Sequence, residues 1–138
     1  MPTLTDRKLT INHDHTKKTA KVAARCDVNF NAAEVALMST APSAKWFKLK
    51  CQLWGADSGI TGSDDFLYTI SDIKYFPSGA PRALYNNVEF TVTLGEGVLN
   101  EDDITGGFTD EIYAKFLLTP LAAGGSATGK SNQVSHNF

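Results

Sequence analysis

Two glycine-rich stretches concentrate the carboxylates of this chain. Asp57, Asp64 and Asp65 belong to GADSGITGSDD (55–65), and Glu96, Glu101, Asp102, Asp103 and Asp110 belong to GEGVLNEDDITGGFTD (95–110). Oxygen donors arriving from two loops suit Ca²⁺, which takes about six to eight oxygens and tolerates irregular geometry. Asp57, Asp64, Asp65, Glu101, Asp102, Asp103 and Asp110 are therefore the candidate ligands of a calcium cofactor. Their spacing does not reproduce the EF-hand loop, and acidic loops also occur simply as solvated, solubilising surface.

Other chemistry-bearing residues are sparse. His13 and His15 stand two apart in the polar run HDHTKK (13–18), a spacing that lets both imidazoles point one way and take a zinc-type ion with an acidic third ligand. GEGVLN lacks the third glycine and the following lysine of a phosphate-binding loop, and no G-x-S-x-G elbow is present. Adjacent carboxylates such as Asp64 and Asp65 face opposite ways at a strand end, which unsuits them as an acid and base pair. Cys26 and Cys51 both fall at inward strand positions, where a thiol behaves as a small apolar group. A disulfide joining them across a core is the alternative. A small hydrolase would need a concave acidic site that no motif announces. Trp54, beside Lys48 and Lys50, and Tyr113 further on occupy outward positions, where they can form a recognition surface for a protein partner or a sugar.

The elements that would position these residues are strands. In KWFKLKCQLWG (45–55), Phe47, Leu49, Cys51 and Leu53 alternate with Lys48, Lys50, Gln52 and Trp54, the period of a half-buried strand. The same alternation runs through 8–12, 19–30, 88–94 and 111–119, turning Leu9, Val22, Cys26, Phe90 and Phe116 among others inward. Residues 66–76 alternate with a slip of parity, which a bulge near Ser71 and Asp72 would reconcile. Asn31 with Glu34 three residues on has the form of a capping box, so 31–38 reads as a helical turn ended before Pro42. Residues 77–87 read as a turn-rich crossing, and 122–138 as a flexible segment or a last strand.

Six or seven short strands with almost no helix predict a single domain over 1–138, an all-β antiparallel sandwich of immunoglobulin-like or related topology. If successive strands run antiparallel, the connections at 13–18, 55–65 and 95–110 gather at one end. Net charge is only −2, yet residues 1–50 carry nine Lys or Arg against four Asp or Glu (+5) while residues 51–138 carry four against eleven (−7). This acidity disfavours nucleic acid, and the asymmetry allows a protein partner or self-association. No apolar run approaches the roughly 20 residues needed to span a bilayer. MPTLTDRKLTINHDH (1–15) has no apolar core of signal-peptide length, which predicts a cytoplasmic chain. The sequence thus points to a non-catalytic recognition module, with calcium-dependent binding and a small hydrolase as alternatives.

Overall fold

The computed structural model describes residues 1–56, 64–99, 110–122 and 124–136, with the backbone alone described at Asp110 and His136. Its centre is the antiparallel pair of β3 (Phe47–Gly55) and β7 (Asp110–Pro120), nine residue pairs long, from Phe47 opposite Pro120 to Gly55 opposite Ile112. This register stacks like with like. Phe47, Leu49, Cys51 and Leu53 lie beside Ile112, Ala114, Phe116 and Leu118 on the inner side, and all eight are buried. Along the free edge of β3 run β4 (Asp65–Thr69) and then β5 (Lys74–Phe76), while β8 (Ala127–Lys130) and β9 (Val134–His136) pair with β7.

A three-stranded sheet closes over this six-stranded one, with β2 (Thr19–Asn29) between β1 (Thr3–Asp14) and β6 (Leu84–Gly95). Its inner side repeats the pattern in rows: Leu9, Ala24 and Phe90; Ile11, Val22 and Val92; His13, Ala20 and Leu94. The two layers meet where Phe90 approaches Phe116, ring centroids 6.2 Å apart, and where Phe30 and Tyr85 pack on Phe47 and Phe76 at 4.9–5.8 Å. Each ring withdrawn from water contributes about 1.5–3 kcal/mol, so together these rings contribute more than one polar contact does.

The strand order β1-β2-β6 in one sheet and β4-β3-β7-β8 in the other, with β5 and β9 off this path, makes an all-β antiparallel sandwich. Crossing between layers after β2 is α1 (Ala32–Ser39), where Asn31 accepts from the Glu34 N–H and Glu34 accepts in return from the Asn31 N–H. The expected capping box is therefore present. A second, one-turn helix, α2 (Glu96–Leu99), follows β6 directly.

Several boundaries differ from the sequence reading, for local reasons. The lead-in before Lys8 is strand: β1 begins at Thr3 and absorbs a bulge between Thr5 and Lys8, with Asp6 at φ 47°. Residues 66–76 form two strands and not one, broken at 70–73 around Ser71 and Asp72, and a separate register shift lies at Leu67, because Leu53 faces Tyr68 while Trp54 faces Phe66. The supposed crossing at 77–87 ends early. β6 starts at Leu84, burying Tyr85, and a second bulge with Asn87 at φ 53° hides the alternation. The last segment, read as flexible or as a last strand, holds β8 and β9, and within it Gly129 pairs with Phe116 beneath the Arg7 side chain, where a Cβ would clash with the guanidinium group.

Cys26 and Cys51 are free thiols, fully buried on facing sheets. Burial pushes both up to about 12 from an ordinary 9.0, with the Asp27 charge adding to the rise at Cys26 and the Cys26 thiol to that at Cys51; Arg7 pulls Cys26 back. The folded chain thus keeps protons that the unfolded chain releases above about pH 9, so this stability is intact below that pH and is lost as pH climbs toward 12. Each thiol accounts for at most about 1.4 kcal/mol per pH unit. Urea unfolding across this alkaline window is expected to show a falling free energy, with a shallower slope for Cys51→Ala. A thiol reagent is expected to modify neither cysteine until the chain unfolds.

Candidate functional site

The register that buries one side of β3 and β7 also decides what the other side presents. Lys48, Lys50, Gln52 and Trp54 of β3 stand beside Thr119, Leu117, Lys115 and Tyr113 of β7. β8 continues these rows with Lys130 opposite Lys115 and Thr128 opposite Leu117, while β4 and β5 bring Phe66 to Trp54, Thr69 to Gln52 and Tyr75 to Lys48. Like charges placed directly across a ladder repel, so the Lys115 and Lys130 pair costs stability. Each ammonium is placed over a ring instead: Lys115 Nζ lies 5.1 Å from the centre of Trp54, Lys130 Nζ 4.9 Å from Tyr113 and Lys45 Nζ 4.2 Å from Tyr75. Such contacts return about 0.5–1 kcal/mol each at exposed sites.

The two aromatic residues expected to stand outward do lie on this face, but neither is an open stacking platform. Trp54 is half-buried, with Phe66 set edge-on at 5.6 Å and 71°, and its indole N–H donates to Gln52 Oε1 at 3.1 Å. Tyr113 is only 3% exposed, and its hydroxyl donates to Asp64 Oδ2 at 2.6 Å. Lys130 Nζ lies 3.7 Å from the same carboxylate oxygen. The exposed ring is Phe66, at 52%. Sequence reasoning did not single it out, nor Lys115 and Lys130. The bulge at Leu67 concealed the side on which Phe66 stands, and strand partners are not readable from one strand's alternation.

Of the candidate calcium ligands, Asp57, Glu101, Asp102 and Asp103 lie outside the described residues, as does the side chain of Asp110. Asp64 is turned toward Tyr113 and Lys130, whereas Asp65 is exposed at the start of β4, opposite Gly55. The expected gathering of connections at one end holds where it can be followed. The Glu96 N–H donates to the Lys18 carbonyl at 3.0 Å, tying α2 to the β1–β2 turn, and α2 also meets β4. At that end the rings of His13 and His15 come together, centroids 4.0 Å apart, with Glu96 beside them.

A cleft of about 530 Å³ between β5 and β6 gathers Asp72, Lys74, Arg82, Tyr85 and Glu89. Its charges are already balanced: Lys74 pairs with Asp72 at 2.8 Å, Arg82 lies over Tyr85 at 5.4 Å, and Glu89 stands opposite Arg25. Among the described residues, the lysine face has no such balance. No family model matches the chain, and neither a curated protein nor a solved structure matches it. Among the described residues, no helix is long and apolar enough to cross a membrane.

The bond from Tyr113 to Asp64 holds the lead-in of β4 against β7. Hydrogen bonds to charged acceptors contribute about 1.5–3 kcal/mol. Tyr113→Phe is expected to lower the unfolding free energy by that order, and urea titration with tryptophan fluorescence measures it. A variant as stable as the parent would show that solvent replaces the bond without loss.

Proposed function

We propose that the protein is a non-catalytic recognition module that receives an acidic segment of a protein partner on the outer face of its six-stranded sheet. The observation that carries this reading is the unbalanced charge there among the described residues: Lys45, Lys48, Lys50, Lys115 and Lys130 against Asp64 and Glu111. Phe66 at the β4 edge supplies an apolar anchor next to the charges, a combination that interfaces use for affinity and orientation together. A peptide carrying carboxylates gains from every lysine it meets and relieves the repulsion between Lys115 and Lys130.

Nucleic acid fits this face less well, because base stacking requires free ring faces and those of Trp54 and Tyr113 carry Lys115 and Lys130. A second copy of the chain is the other protein occupant, since residues 51–138 hold an acidic excess of eleven against four. We place this activity in the cytoplasm, where the free thiols of Cys26 and Cys51 remain reduced.

The test is fluorescence anisotropy with a glutamate-rich peptide, using a single-stranded oligonucleotide of equal charge as comparator and light scattering to follow association of the chain with itself. The expected result is micromolar peptide binding that weakens with salt. Reversing Lys50 and Lys115 to Glu is expected to reduce affinity by about tenfold or more, equivalent to about 1.4 kcal/mol or more. Phe66→Ala is expected to weaken binding without changing its salt dependence. Affinity unaltered by the double reversal would overturn the reading. Preference for the oligonucleotide would change the partner class, and concentration-dependent mass abolished by the reversal would make the partner a second copy.

A further inference from the structure

We propose that His13, His15 and Glu96 form a binding site for a single first-row transition-metal ion of the Zn²⁺ class at the loop end of the sandwich. One ligand atom from each of these three side chains lies within 4.8 Å of the others. A tetrahedral ion with bonds of about 2.0–2.2 Å holds its ligands about 3.3–3.5 Å apart, so small side-chain rotations bring all three into its first shell. Two imidazoles and one carboxylate are a ligand set that zinc takes with a fourth position left for water or another ligand. Ca²⁺, which needs many oxygens, is not suited to it.

The backbone explains why the three converge. β1 ends at Asp14, and His15, the first residue of the turn, brings its ring back beside that of His13, centroids 4.0 Å apart. His13 closes the inward row begun by Leu9 and Ile11, and its side chain is only 2% exposed. Asp14 then organises the turn, its Oδ1 accepting from the N–H groups of Thr16 at 3.0 Å and Lys17 at 3.1 Å. Glu96 arrives from the other side, at the end of β6, anchored by its N–H to the Lys18 carbonyl at 3.0 Å. The Glu96 carboxylate is 28% exposed and His15 is exposed, which leaves the site open to solvent on one side.

His13 Nε2 lies 2.8 Å from Glu96 Oε2, a hydrogen bond that holds the two groups at the site before any ion enters. Metal binding displaces the shared proton, which moves to the other ring nitrogen or to solvent, and a metal–nitrogen and a metal–oxygen bond replace one N–H···O contact. The ion thereby fastens the β1–β2 turn to α2. This site uses the three-stranded sheet and its turn, so it is independent of the lysine face.

The experiment is calorimetric titration of untagged, chelator-treated full-length protein with ZnCl₂, accompanied by a Co²⁺ absorption spectrum and thermal unfolding with and without Zn²⁺. The expected result is about one ion per chain, intense visible Co²⁺ bands of tetrahedral nitrogen and oxygen coordination, a raised Tm, and no competition from Ca²⁺. His15→Ala, an exposed change that leaves the core untouched, is expected to weaken Zn²⁺ binding by roughly a hundredfold and to abolish the Tm rise. Glu96→Gln is expected to weaken it as well. Absence of stoichiometric binding, or equal affinity in His15→Ala and Glu96→Gln, would overturn the proposal.

Discussion

The antiparallel register of β3 against β7 is the constraint on which the rest depends. Because strand side chains alternate with a period of two, a slip of one residue would carry Phe47, Leu49, Cys51 and Leu53 from the core to water and bring Lys48 and Lys50 inside. Burying an unpaired ammonium is costly enough that no such alternative competes. The charged face and the hydrophobic core are therefore one decision. Any substitution that loosens the pairing of Cys51 with Phe116 also disperses the rows that set Lys50 beside Leu117 and Trp54 beside Tyr113.

The fold was legible wherever alternation was unbroken. Segments 19–30, 45–55 and 111–119 announced β2, β3 and β7 because each inward position is apolar without interruption. Bulges concealed the rest. Each adds a residue that reverses parity, so Asp6, Leu67 and Asn87 made strand look like loop or misplaced its irregularity. The final strands were obscured for another reason, since Gly129 lies under the crossing Arg7 side chain, a contact spanning most of the chain's length.

Less of the functional surface was readable. Outward positions of Trp54 and Tyr113 followed from parity, but their burial did not, because Phe66, Gln52 and Asp64 reach them from elements distant in sequence or from the neighbouring strand position. The spacing of His13 and His15 allowed both imidazoles to point one way, and their ring centroids lie 4.0 Å apart. That Glu96 would join them required knowing that β6 runs beside β2 in a register placing Gly95 opposite Thr19.

The juxtaposition of Lys115 and Lys130 carries a thermodynamic corollary. Two ammonium groups facing each other across a ladder leave β8 mildly frustrated even with Asp64 beside Lys130, and β8 offers only four residues to hold it in place. An anion settling between them would remove that frustration and tighten the outermost part of the sheet. An occupant of the face and a tighter C-terminal edge would then favour each other, while added salt would screen the repulsion and the attraction alike.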